Sequence, residues 1–448
     1  MMAKKMVALF MAAAMMTGAL TGCGNSTAEN RDSSSTVAQT SDEASGEKTQ
    51  VEFWYAGGKT AVGVVQDIID EYNASQDQYE VTAVTQAVYT ETYQKLQAGI
   101  AGNAAPDVVL LQTATARVLS DKNLLTDLGS FIDQDDEFQE SDYLEVFMEQ
   151  GKDDEGKIFA IPAYGTTQIL YYNIEAFHQA GIDPESITTW QDLAAAAKTI
   201  KEKTDATYGW EPMWGAVNLI DAAMSNGASV LSEDGKTVMI NSDEWVEVFE
   251  AFRTWIHDDE IMAIHSGGQG WEYWYATMDD ALNGIAGGYT GSSGDQADLD
   301  FSVVAAKEQP AWDADTTSAP LAEGLTLSVL ESSSDAEKEG AYDFIKYFTN
   351  ADSQAKWSMS TGYVPVNKNV ADNAEYAAYL EENPHAAVPF AQASHGSVYP
   401  YDPTNGEIMD AISIAVDKVE IDGVSAQEAL DEAQKTAQKA LDEALEGK

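Results

Sequence analysis

The chain has 448 residues, with 24 Lys and Arg against 75 Asp and Glu and a formal net charge of −51. So large an excess of carboxylates argues against nucleic acid as a partner, because phosphates need cations to neutralise them. A single cysteine excludes a disulfide framework within the chain, and with only Arg31, Arg117 and Arg253 as arginines, a phosphate site would depend on lysines and backbone N–H groups.

The N-terminus reads MMAKKMVALFMAAAMMTGALTGCG. Lys4 and Lys5 precede an apolar run over 6–20 that is too short to span a membrane comfortably, the layout of a secretory signal peptide over 1–22. Leu20-Thr21-Gly22-Cys23 resembles a lipobox, which marks Cys23 for lipidation and membrane anchoring; the alternative is an ordinary secretory signal with an incidental cysteine. Residues 23–50 are rich in Ser, Thr and acidic side chains and have little to bury, so they read as a disordered tether. A body of roughly 400 residues then remains, a length that calls for two domains.

Within that body, VEFWYAG at 51–57 alternates as a strand. The next segment places Val64, Ile68, Ile69 and Tyr72 on one helical face. VTAVTQAV is a second strand, a helix follows with Tyr93, Leu96 and Ile100 aligned, and APDVVLLQ is a short buried strand. Strands alternating with helices predict βαβ units and a mostly parallel sheet. KIFAIPAYGTTQILYYN gives two extended segments around Pro162. Capping-box patterns at Thr189–Asp192, Ser334–Glu337 and Ser425–Glu428 start three helices. Trp190, Trp245, Trp255 and Trp357 fall at core-like helical spacing. In WEYWY at 271–275, Trp274 and Met278 with Leu282 seat a helix, Tyr275 lying beside them. Trp271 follows SGGQG and is free to act as a ligand platform. The five histidines show no ligand spacing, so neither a metal nor a cofactor is expected. The acidic run 133–137 lacks the glycine of a calcium loop.

Five segments in order resemble the extracellular solute-binding proteins of ABC importers, the maltose-binding-protein-like family. They are AGIAGNAAPDVVLLQ with its LLTDL run, GKIFAIPAYGTTQILYYNIEAFHQAGIDP through TTWQDL, LNGIAGGYTGSS, AYDFIKYFTNADSQAKWSMSTGYVPVNK and the C-terminal SAQEALDEAQKTAQKAL. The resemblance implies a two-lobed α/β fold with a hinge, each lobe a mostly parallel sheet flanked by helices. The lobes would be 51–166 plus 322–375 and 167–321 plus 376–448, crossing near 165–168, 322–325 and 376. It also implies a monomer that captures a small molecule between the lobes and delivers it to permease subunits, without catalysis.

The TGYVPV segment and the late GEI stretch are closest to the branch holding glycerol-3-phosphate binders and many sugar binders. Phosphate-ester binders of that branch carry an arginine where this chain has Met409, and the branch as a whole usually has two glycines where this chain reads Ala322-Glu323-Gly324. The missing guanidinium and the acidic charge favour a neutral sugar or oligosaccharide, with a glycerol-3-phosphate or glycerophosphodiester ligand as the alternative. A sugar wants aromatic platforms and polar edge partners. Candidates at strand ends are Tyr55, Gln112, Thr113 and Thr167, each with core packing or local backbone bonding as the other reading. The resemblance adds Tyr289, Ser292, Gly324 and Tyr363, and the late loop adds Tyr401. An anchored carbohydrate enzyme and a surface adhesin are rival classes; no HExxH or GxSxG motif occurs.

Overall fold

A computed structural model describes residues 48–153, 155–269 and 271–446. The expected signal peptide, Cys23 and all of the tether up to 47 lie outside the described residues, while Thr49 and Gln50 already belong to the first strand. The strands among the described residues are β1 (Thr49–Ala56), β2 (Tyr79–Gln86), β3 (Val108–Gln112), β4 (Ile161–Thr166), β5 (Gln168–Asn173), β6 (Glu211–Pro212), β7 (Gly288–Ser292), β8 (Val304–Lys307), β9 (Leu321–Val329) and β10 (Ser397–Val398).

Alternation in β1 turns Val51, Phe53 and Tyr55 inward, and the helix Lys59–Ser75 buries Val64, Val65, Ile68, Ile69 and Tyr72 against them. β2 and β3 flank β1 in parallel, as βαβ units require. Both sheets are mixed, however. β9 runs antiparallel to β3 and β4 in the order β10-β9-β3-β1-β2, and the second sheet, β6-β7-β5-β8, pairs β5 antiparallel with both neighbours. In the first sheet β9 and the short β10 beside it are the reversed strands, while β4, antiparallel to β9, runs the same way as β3. Pro162 lies inside β4 beside a register shift, and the break between the two extended segments is at Thr167.

Each sheet has its own core. Phe53, Ile68, Leu110, Phe147, Phe344 and Trp357 fill the first. Trp190, Trp210, Trp245, Phe252, Ile412 and Leu430 fill the second, closed by the helices Glu407–Glu420 and Ala426–Glu446. Side chains of this size contribute roughly 1.5–3 kcal/mol each when fully buried. The lobes meet along three crossings. Thr167 separates β4 from β5, and Leu321 packs in the second core while Ala322 packs in the first. At the third, Tyr376 packs with Ala355 and Val370, and Ala393 still belongs to the first core, whereas Tyr399 reaches the second. His385 stacks on Phe301 (3.4 Å) and Val388 packs with Tyr171 and Tyr289, so this third passage touches both lobes from 385 to 399.

Candidate functional site

β3 ends at Gln112 and the helix Thr113–Asp121 begins at the next residue, its N-terminus uncapped by any side chain. Gln112, Thr113, Ala114 and Thr115 line a cavity of about 300 Å³ together with Glu323 from the second crossing and Tyr399, Asp402 and Met409 from the late segment. A second helix, Glu407–Glu420, starts at the same cavity from Asn405 and Gly406, both at positive φ. There Asp402 Oδ2 accepts from the N–H groups of Ile408 (3.1 Å) and Met409 (3.2 Å). One helix start thus already holds a carboxylate, and the other presents uncapped N–H groups to the cavity.

Glu323 is the central charge. Gln112 Nε2 stands 3.5 Å from its Oε1, and burial pushes its carboxyl above the ordinary range. Its charge in turn helps raise the phenols of Tyr89, Tyr363 and Tyr399, after burial itself. Tyr89 and Tyr164 bring their hydroxyls to 3.3 Å, and the Tyr363 ring lies 5.0 Å from that of Tyr164. The loop after β7 faces this aromatic group: a Cβ on Gly294 would stand 2.8 Å from the Tyr363 ring, so a larger residue there would have to push that ring aside. Asp295, on the same loop, accepts from Trp274 Nε1 (2.9 Å) and Tyr289 Oη (3.1 Å), and burial pushes its carboxyl up to about 7.

The sequence-derived candidates separate sharply against this geometry. Gln112 and Thr113 line the cavity; Thr113 Oγ1 also donates to the Gly324 carbonyl at 2.8 Å. Gly324 itself has room for a methyl group, whose nearest neighbour would be Phe147 at 3.4 Å. Tyr363 joins the aromatic group, and Ser292 shares a hydrogen bond with Thr166 (2.9 Å) where the first crossing meets β7. Tyr401 is held over Arg117, whose guanidinium carbon lies 4.5 Å from the ring centre. Trp271 is 57% exposed and edge-on to Trp274, free to receive a flat ligand face.

Three others are interior. Tyr55 stacks on Phe53 (5.2 Å) on the inward phase of β1, and Tyr289 is fully buried against Tyr171 (4.9 Å). Thr167 is buried with its hydroxyl given to the Leu321 carbonyl (2.9 Å). Strand phase aims Tyr55 and Tyr289 at the cores, while Thr167, between β4 and β5, is tied into the crossing. Ala114 and Thr115 belong to the strand-end stretch LQTAT, a candidate wall piece by its position after β3, whereas Tyr89 and Asp295 were not singled out by the sequence. For Tyr89 the signal was present, since it begins a helix just beyond the end of β2.

The model for bacterial extracellular solute-binding proteins matches residues 67–387, well over half of the chain. The chain belongs to that family. It is 26% identical over 421 residues to the sn-glycerol-3-phosphate-binding periplasmic protein UgpB of Yersinia pestis bv. Antiqua, covering 89% of this chain and 91% of that one. UgpB of Escherichia coli O6:K15:H31 is likewise 26% identical, over 419 residues. Among solved structures, UgpB of Mycobacterium tuberculosis in complex with glycerophosphocholine superposes with a TM-score of 0.76 at 21% identity, covering 89% of this chain and all of that one. The cyclic alpha-maltosyl-1,6-maltose binding protein of Arthrobacter globiformis gives 0.75 at 22%, with 89% and 100% covered. As a member of that family this chain is an extracellular solute-binding protein, and it has the two-lobed fold of these structures.

Proposed function

We propose that this solute-binding protein captures a glycerophosphodiester between its lobes and delivers it to the importer, working as a monomer anchored by lipid on Cys23. The lobes in this reading are 51–166 with 322–393 and 167–321 with 399–446. The observation that carries the ligand assignment is the uncapped N-terminus of Thr113–Asp121 in a cavity that no lysine or arginine lines among the described residues. A helix start matches about half an elementary charge, enough to favour a singly charged phosphodiester and too little for a dianionic monoester beside Glu323 and Asp402. The rest of the ligand then meets Tyr89, Tyr363 and the Glu323 carboxyl, with the buried Tyr164 ring packed behind Tyr363, a setting that suits a quaternary ammonium or a polyol. The UgpB of Mycobacterium tuberculosis, solved with glycerophosphocholine, supports the diester, while the UgpB relatives described as sn-glycerol-3-phosphate binders share with it the glycerol and phosphate part of the ligand.

A neutral saccharide, the first expectation from the sequence, is the second reading, favoured by the exposed Trp271 ring. Calorimetric titration with glycerophosphocholine, sn-glycerol-3-phosphate and maltose separates them. One-to-one binding of the diester alone supports the proposal, and binding of maltose alone overturns it.

A further inference from the structure

A second polar cluster lies on the other lobe. The bridge between Trp210 and Met262 lays the segment after 262 alongside β6, which brings His265 against Glu211. Asp280, on the last turn of the helix Glu272–Leu282, completes the group. His265 Nε2 is 2.9 Å from Asp280 Oδ2 and 3.5 Å from Glu211 Oε1, and one donor atom from each residue lies within 4.8 Å of the others. Glu211 is fully buried, and neither of its carboxylate oxygens is satisfied by a hydrogen bond. A buried carboxyl without hydrogen bonds is relieved either by keeping its proton, as burial and the neighbouring Asp280 favour in pushing Glu211 up to about 9, or by a cation bound beside it.

We propose that Glu211, His265 and Asp280 bind a divalent transition metal, with Zn²⁺ as the best fit. A tetrahedral zinc with bonds of about 2.0–2.2 Å holds its ligand atoms roughly 3.3–3.6 Å apart. The 3.5 Å separation already meets that, and the 2.9 Å pair needs to open by only a few tenths of an ångström. One imidazole nitrogen with two carboxylates suits zinc better than calcium, which wants six or more oxygens. Glu211 is sealed, but the His265 and Asp280 side chains are 34% and 16% exposed, so the ion enters from their side and water fills the remaining position. The metal supplies the positive charge that Glu211 lacks. It also fastens to β6 the segment leading into Trp271, a tie independent of the ligand assigned to the cleft.

The test is titration of the chelator-stripped full chain with Zn²⁺ alone, by calorimetry and by thermal melting. Wild type is expected to take up one tightly held Zn²⁺ and to melt higher with it. His265→Ala and Glu211→Gln are each expected to weaken that step more than about 100-fold, since even groups one shell out from a metal are worth 10- to 100-fold. Glu211→Gln keeps the side-chain shape, so its melting temperature without zinc reports whether the fold survives. Cys23→Ser should leave uptake unchanged. Equal Zn²⁺ binding by wild type and His265→Ala, or binding abolished by Cys23→Ser, overturns the site.

Discussion

Gln392 Nε2 donates to Thr167 Oγ1 at 2.6 Å, while that hydroxyl donates to the Leu321 carbonyl at 2.9 Å. The pair links the three places where the chain passes between lobes. Gln392 also donates to the Gln168 carbonyl (2.6 Å) and accepts from Gln309 N (2.7 Å). Gln309 reaches Asp221 Oδ2 at 2.6 Å, and Asp221 Oδ1 accepts from Leu321 N at 2.9 Å. All of these side chains are buried. A hinge built from side-chain hydrogen bonds can shear a little without exposing a hydrophobic core, which suits lobes that must open and close.

Removing the tie should therefore cost stability. Gln392→Ala leaves the Gln309 N–H buried without its acceptor and weakens the hold on Thr167. Each buried group left unmatched costs about 1–3 kcal/mol. Urea unfolding should show a loss of roughly 2–3 kcal/mol.

The same network sets a pH dependence. Burial pushes the Asp221 carboxyl up to about 7 from an ordinary 3.8, and Asp295 behaves alike. Between those values the unfolded chain has lost the proton and the folded chain keeps it. The stabilising contribution is complete below about pH 4 and is lost as pH rises towards 7. Melting temperatures taken from pH 4 to 8 should fall more steeply for wild type than for Asp221→Asn; parallel curves would show that Asp221 does not titrate this way.

Two aromatic candidates should behave oppositely. Tyr289 is sealed between Tyr171 and Asp295, so Tyr289→Ala should lose about 3–5 kcal/mol. Trp271 is 57% exposed, and Trp271→Ala should change stability by no more than about 0.5 kcal/mol. Thermal melts of both variants decide this.

Glu323 should discriminate between ligands. Replacing its carboxylate in Glu323→Gln removes a partner for a cationic head group and a repulsion for a dianion. Glycerophosphocholine affinity should drop about tenfold, a change of about 1.4 kcal/mol, while sn-glycerol-3-phosphate binding should improve. Calorimetry of both ligands on the variant is the check.

Much of this architecture was legible in the residues. The capping boxes at Thr189 and Ser334 form as their spacing predicts, and Trp190, Trp245, Trp255 and Trp357 are all buried. In WEYWY, Met278 is buried and Trp271 stands out, but Tyr275 faces solvent. Strand phase was harder to use. Tyr55 and Tyr289 sit near strand ends, where a one-residue shift decides between core and cleft, and both point inward. Mixed sheets escaped notice because short buried strands read alike in either direction. The His265 cluster was invisible because its members come from a strand, a loop and a helix joined only by tertiary packing.

The uncapped helix start at Thr113 bears most directly on what the cleft holds. Ala114 is exposed in its first turn and lines the cavity. Ala114→Asp places a carboxylate where the phosphodiester is proposed to sit, a position that favours the helix itself and should not lower the melting temperature. Glycerophosphocholine should bind wild type one-to-one and bind Ala114→Asp at least about tenfold more weakly, the penalty of displacing one anion by another. Equal binding to both proteins, or maltose binding where glycerophosphocholine does not, would contradict the account.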